Sequence, residues 1–423
     1  MTDPAIAQLS EEASAPVPLS RNRDFRRLWL GAGTSRFGSC VAMVVYPMLV
    51  LWQTGSAAAS GMVAFAATLP NLLLQLPAGA LVDRWDRRRV LVVCDTVRLT
   101  AFAAMGLAVA GHRLWVPGVM AAAFLEGALA IFYQTAEQVS VRAVVPAEQL
   151  AGALSRNQVR GSAVGLLGQP LAGLLFTVLR WLPFAVTSLA ELVALVMLLG
   201  LRRDLRPAPR AGGGRLHREV AEGIGWLWRH RFLRIMSGVF AGSNLLFQIL
   251  SLSVMLQVKQ HGGTPAALGL VAAVAGVGGL LGALAAGPWL ARVSPHTTTL
   301  VGHLVWLVLM PLVGVLHDPL QLAAVMAGVL FVGGVFTVCG GVYLVRATPE
   351  PLQGRVLASA AFLTSGANAL GALAGGFLLS RAGTGGTALV VAAVLLLLTV
   401  TVAASPTVRA GGGQALSRQG NQG

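Results

Sequence analysis

Glu126, Glu191 and Asp95 each stand inside an apolar run long enough to cross a bilayer, as do Arg36 and Arg98. An ionised side chain at the bilayer centre costs at least ~2.5 kcal/mol. Each must therefore be paired, hold a proton or face water. A buried carboxyl that takes up and gives back a proton is the group needed to move protons across a membrane. Glu126, near the middle of the fourth run, is the leading candidate for that chemistry, with Arg36 in the first run as its counter-charge. The alternative reading is a static buried ion pair. Asp95 and Arg98 are three apart on one helix and can pair locally, so they read as a structural pair. Glu137 lies close to one end of the fourth run.

These groups need apolar helices to hold them. Hydrophobic residues make up 55% of the 423-residue chain and charged residues 11%, with mean hydropathy +0.72. Soluble domains carry about 25% charged residues, so the chain must sit in lipid. Its runs are continuous and lack period-two alternation, which favours helices over a barrel. Twelve spans are predicted, at 25–51, 59–82, 89–111, 115–138, 158–179, 183–201, 232–256, 266–290, 297–316, 320–342, 357–380 and 386–404. The fold class is an all-α polytopic membrane protein.

The net charge of +15 and pI near 11.5 follow a pattern. Arg113, Arg180, Lys259 and Arg381 fall on one side of the predicted membrane, and Arg36 and Arg98 lie within spans. The rest of the 31 basic residues gather on the side that holds Arg87. That is the positive-inside distribution of a cytoplasmic-membrane protein, with both termini inside. It argues against a nucleic-acid partner. All basic residues but Lys259 are arginine, and Ala, Gly, Val and Leu abound. All are favoured by GC-rich codons, which points to a bacterial source. Cys40, Cys94 and Cys339 lie far apart in apolar segments and act as small apolar side chains. No cleavable signal peptide is expected. There is no G-x-x-x-x-G-K-[ST] loop for a nucleotide, no metal cluster and no catalytic constellation, so no cofactor, metal or enzymatic activity is expected.

The predicted organisation is a disordered cytoplasmic tail at 1–24, a six-helix bundle at 25–201, a linker at 202–231, a second six-helix bundle at 232–404 and a tail at 405–423. The linker passes Gly212-Gly213-Gly214 and then turns amphipathic through Val220, Ile224, Leu227 and Trp228, as a helix lying on the membrane surface does. The bundles echo one another. At an offset of 203 residues Pro146 falls on Pro349, and Gly168 to Leu175 falls on Gly371 to Leu378. At a different offset, 208, Gly79 with Arg84 echoes Gly287 with Arg292. Parallel repeats joined by a central loop produce such a pattern.

Between the second and third spans runs Gly79-Ala80-Leu81-Val82-Asp83-Arg84-Trp85-Asp86-Arg87-Arg88. The spacing G-x-x-x-D-R-x-x-R-R resembles the corresponding loop of the major facilitator superfamily of secondary transporters. Asn22 to Trp29, Leu69-Pro70, Val145 to Leu150 and Gly354-Arg355-Val356 resemble its macrolide-efflux and siderophore-exporter-like branch. In that branch an Asp often follows the glycine of the first helix; here Gly38 is followed by Ser39.

The resemblance implies two pseudo-symmetric six-helix bundles that rock about a midplane cavity. It implies that Gly79, Asp83, Arg84, Arg87 and Arg88 form a gate, with Asp83 and Arg84 latching the halves in one access state. Glu191 ranks lower as a proton carrier, because the sixth helix of this fold is often peripheral. Gly165, Gly168, Pro170 and Gly173 resemble the Gly/Pro motif of the superfamily's antiporters, although Gln169 stands where a glycine precedes the proline. Cavity candidates on helices one, four, seven and ten are Tyr46, Tyr133, Gln134, Asn244, Phe247, Gln248 and Tyr343. The expected function is proton-coupled export of small lipophilic or amphipathic molecules by a monomer, with the substrate, protons and the bilayer as partners. An uncoupled facilitator or importer, and a non-transporting scaffold or sensor, are the alternatives.

Overall fold

Polar side chains at the starts of the apolar runs set where the helices begin. In the computed structural model, α1 (Arg23–Thr54) follows Asn22, whose Oδ1 accepts from the Phe25 amide at 3.0 Å. Ser56 caps α2 (Ala57–Val82) and Asp86 caps α3 (Arg87–Ala110). Such caps satisfy amides that the first turn leaves free. α4 (Val116–Val144) leads through a 3₁₀ turn at Ala147–Gln149 into α5 (Leu150–Val178) and α6 (Leu182–Leu199). The second half comprises α7 (Arg231–Gln260), α8 (Pro265–Leu290), α9 (Pro295–Leu312), α10 (Pro319–Ala347) and α11 (Gln353–Ala404). Gly383, at φ 65° and ψ −172°, breaks α11 into arms 353–382 and 384–404. Glycine alone takes that backbone without strain.

The structure describes residues 18–201, 205, 225–226, 228–348, 353–406 and 409. Among them ten helices are long and apolar enough to cross a membrane. One is the double-length α11, and α9, richer in Thr and His, is the remaining crossing, giving the twelve expected. Most of the anticipated linker, including Val220, Ile224 and Leu227, lies outside the described residues, as do 1–17 and the end of the second tail. The first tail ends earlier than residue 24. Leu19 is buried against the first half, and Nδ2 of Asn22 donates to the Val144 carbonyl at 2.9 Å.

Two pairs of helices join the halves, α2 with α11 and α5 with α8. Glycines permit both contacts. A Cβ on Gly61 would lie 2.5 Å from the Gly376 Cα, and one on Gly173 would lie 2.8 Å from the Gly269 amide nitrogen. Backbones approach this closely in membranes where small residues line the interface. Gly173 and Gly376 are separated by the 203-residue offset of the internal repeat, so the two interfaces are equivalent.

The joined region lies at the end remote from the Arg84–Arg89 turn. There the largest apolar cluster spans both halves, with Val45, Met48 and Leu49 of α1 and Leu252, Met255 and Leu256 of α7. Toward the basic end the cores separate. Leu28, Val82, Leu91 and Leu198 pack within the first half, and Met236, Val239 and Val402 within the second. Among the described residues, Gly79, Gly161, Gly165, Gly287 and Gly341 have no atom within 4 Å of where a Cβ would stand. The described halves meet at the far end and part at the basic end.

Candidate functional site

The buried charges converge in the first half. Arg98 of α3 grips Glu126 of α4 with two hydrogen bonds, Nε to Oε2 at 2.7 Å and Nη2 to Oε1 at 2.9 Å. Its Nη2 also lies 2.9 Å from Oε1 of Glu191 on α6. Asp95, one turn before Arg98, accepts from the Ser35 hydroxyl at 3.2 Å. Relative exposure is 0% for Asp95 and Glu191, 2% for Arg98 and 8% for Glu126. Two carboxyls thus meet one guanidinium, with a third, that of Asp95, one turn away, and the cluster is almost closed to water. Asp95 and Glu191 face each other within hydrogen-bonding reach. Asp95 Oδ2 and Glu191 Oε2 find no donor among the described residues.

α1 supplies the bed for this cluster. Ser35, Gly38 and Ser39 occupy positions i, i+3 and i+4, one face of a helix. The Ser35 and Ser39 hydroxyls accept from Arg98, at 2.5 and 2.7 Å. Gly38 leaves the space into which Glu191 and Arg98 fit.

This arrangement revises the pairing expected from sequence. The counter-charge of Glu126 is Arg98, while Arg36 is half-buried and makes no ion pair among the described residues. The expected Asp95–Arg98 pair does not form among the described residues: Asp95 joins the cluster through Ser35 and Glu191, and Glu191 takes the place beside Arg98. Ser35, Gly38 and Ser39 were missed as a set, although their spacing on one helical face was available as a signal. Glu137 has a separate partner, Arg160 of α5, at 2.6 Å.

A cavity of about 490 Å³ opens within the second half, between α7, α8, α9, α10 and α11. Phe240, Phe247, Trp306 and Phe336 build its wall. Their rings meet edge to face, Trp306 with Phe336 at 4.8 Å and with Phe247 at 5.1 Å. Asn244, Ser243, Thr298 and Thr337 add polar points, and no Asp, Glu, Lys or Arg is among the described lining residues. Of the cavity candidates from sequence, Asn244, Phe247 and Tyr343 line it. Tyr46 is buried in the first half between Phe102 and Phe184, and Tyr133 is buried in the same half. Gln134 is half-buried, and Gln248 packs against Gly371 of α11; neither lines the cavity. The other wall rings, Phe240, Trp306 and Phe336, were passed over because rings at helical spacing ordinarily pack a core.

The family model described as Major Facilitator Superfamily matches residues 28–262 and 247–419. The chain belongs to the Major Facilitator Superfamily. It is a multi-pass membrane transporter with that superfamily's fold. It is 28% identical over 370 residues to proteins named multidrug efflux pump Tap. The match covers 84% of this chain and 87% of the Mycobacterium tuberculosis protein, and 85% and 90% for that of Mycolicibacterium fortuitum. The fold matches the crystal structure of the nucleoside transporter NupG, with TM-score 0.71 at 12% identity over 89% of this chain and 98% of that one. A POT family transporter in complex with 5-aminolevulinic acid gives TM-score 0.69 at 12% identity, over 92% and 97%.

In this superfamily member the basic turn and the Gly/Pro motif occupy different ends. Asp83 and Arg84 are exposed, and Asp83 makes no ion pair among the described residues. Asp86 caps α3, accepting from the Arg88 and Arg89 amides at 3.0 and 3.4 Å. Arg88 donates to the Leu199 carbonyl at 2.9 Å, and Arg27 donates to that of Gly200. Two cations thus close the C-terminus of α6, the end that attracts positive charge. Among the described residues nothing lies within 4 Å of where a Gly79 Cβ would stand, and the buried Arg87 Nε has no hydrogen-bond partner. In α5, Gly168 backs onto Cys40 of α1, Pro170 and Gly173 meet Gly269 of α8, and Gly165 is open.

Proposed function

We propose that this chain is a proton-coupled exporter of small lipophilic or amphipathic organic molecules, working by alternating access. The observation that carries the reading is the set of three buried carboxyls around Arg98. One guanidinium balances one carboxylate, and burying two more uncompensated charges is prohibitive. Protons on the cluster remove that cost, and a proton between Asp95 and Glu191 supplies the donor both lack. Protonation therefore changes the stability of whichever packing buries the cluster, which is what coupling to an access change requires.

The excess of arginine marks the basic end as cytoplasmic, in a cell membrane with both termini inside. The parted halves then open to the cytoplasm, and the aromatic cavity is reachable from that side. A mostly apolar cavity with a few polar points suits a lipophilic solute. The similarity to proteins named multidrug efflux pumps supports export. Asp83 and Arg84, free of the second half when the basic end is open, are suited to latch it when that end closes. Protons then enter the cluster from outside, the solute leaves, and return to the open state releases protons inward.

Reconstitution in liposomes with an internal pH dye tests this. Lipophilic antibiotics should evoke proton movement that is lost in Glu126→Gln and Glu191→Gln. Solute flux without proton movement would instead establish an uncoupled facilitator.

A further inference from the structure

His303 stands directly behind the cavity wall, on α9, and is 1% exposed. Its Nδ1 lies 2.8 Å from the Thr299 carbonyl. A carbonyl only accepts, so Nδ1 carries a hydrogen. Its Nε2 lies 3.2 Å from Oγ of Ser243 on α7, and that oxygen lies 2.9 Å from the Val239 carbonyl. The serine has one hydrogen and two acceptors to choose from. With a neutral imidazole, Ser243 donates to Nε2. With an imidazolium, Nε2 donates to Ser243, and the hydroxyl turns to Val239. Both arrangements satisfy the ring's hydrogen bonds without moving a side chain.

The ring also touches the aromatic wall. Its centroid is 5.4 Å from that of Trp306 and 5.5 Å from that of Phe336. On α9 the other titratable group is His296, two turns earlier. α10 carries Cys339, Tyr343 and Arg346, α7 carries Arg231, Arg234 and Lys259 toward its ends, and the 384–404 arm of α11 carries none. No carboxylate faces the imidazole from these elements, so an imidazolium there has only the π systems, Ser243 and a carbonyl as partners.

Taking the cavity as the substrate site, we infer that His303 is its specificity-determining residue, and that its charge decides whether the aromatic wall holds a cationic aromatic solute. Electron-rich ring faces attract a cation within about 6 Å. With His303 neutral, Trp306 and Phe336 offer those faces to the solute. With His303 protonated, a positive charge stands beside both rings, 5.4 and 5.5 Å between centroids, and like charge repels the solute. Neutral solutes are little affected. A cationic solute is thereby held on a neutral side and released on an acidic one.

The test is equilibrium binding of ethidium, a permanent aromatic cation, and N-phenyl-1-naphthylamine, a neutral aromatic, to the full-length protein in detergent. Between about pH 8 and about pH 5.5, the range over which imidazoles titrate, ethidium affinity should fall about tenfold in the wild type, with the neutral probe almost unchanged. His303→Gln should abolish the ethidium dependence. An ethidium pH profile that is flat in the wild type, or the same in wild type and His303→Gln, overturns the assignment. Ser243→Ala keeps the imidazole but removes its Nε2 partner, and should shift the midpoint of the profile. If His303→Gln does not fold, an unshifted midpoint in Ser243→Ala overturns the assignment on its own. Ethidium binding indifferent to Phe247→Ala would refute the cavity as the substrate site, and His303 with it. Binding that requires Phe247 but lacks the His303-dependent profile refutes only His303.

Discussion

A methyl group on Gly38 would stand 2.6 Å from Oε1 of Glu191 and 3.5 Å from Nη2 of Arg98. The first helix therefore meets the buried charges through an absent side chain. The branch this chain resembles often carries an acid just after that glycine. Here Ser39 faces Arg98, and the acids come from α3, α4 and α6.

Gly38→Ala should push Glu191 away from Arg98. Overpacking of this kind costs about 1–3 kcal/mol, so the protein should still fold with a lowered Tm. Substrate-evoked proton movement in liposomes should drop sharply. Wild-type coupling in this variant would refute a role for the Glu191–Arg98 contact.

Arg98→Met strands three carboxyls and should destabilise the protein by about 3–5 kcal/mol, as breaking a buried pair does. Adding Glu126→Gln and Glu191→Gln should restore much of the lost Tm in thermal unfolding, because neutral amides need no counter-charge. A triple variant as unstable as the single one would mean that Arg98 acts through packing alone.

Asp83→Asn is expected to separate stability from transport. Asp83 is exposed here, so its loss should alter stability by no more than about 0.5 kcal/mol. If it latches the closed basic end, the variant should transport severalfold more slowly. Unchanged transport would remove Asp83 from the gate.

Gly173→Ala would bring a Cβ against the Pro265 carbonyl and within 2.8 Å of the Gly269 nitrogen. The far end should be forced open, shifting the population away from the state described. Distances between spin labels placed across the far ends of α5 and α8 should lengthen, while those within either half hold.

The membrane crossings were legible because hydropathy reports directly on burial in lipid. The last two spans were separated in sequence between 380 and 386, and Gly383 makes the break. The members of the buried cluster were legible as acids in apolar runs, but their pairing was not. Spacing along one chain can join Asp95 to Arg98 and says nothing of which helices flank them. Glu126 and Glu191 reach Arg98 only through helix packing. The cavity was half legible for a similar reason. Asn244 and Phe247 stood out as polar or aromatic on a helix expected to line it. Trp306 lies on α9, which the resemblance did not point to, and only the tertiary fold turns its ring toward Phe247.

Lys259 is the chain's one lysine, and its Nζ donates across the two halves to the Leu51 carbonyl in the last turn of α1. Apart from the amino terminus, the protein therefore offers acylating reagents a single nucleophilic amine, placed at the seam that must part for the far side to open. The rate at which that amine is modified becomes a clock for opening, readable by mass spectrometry on the unmutated protein without any introduced label.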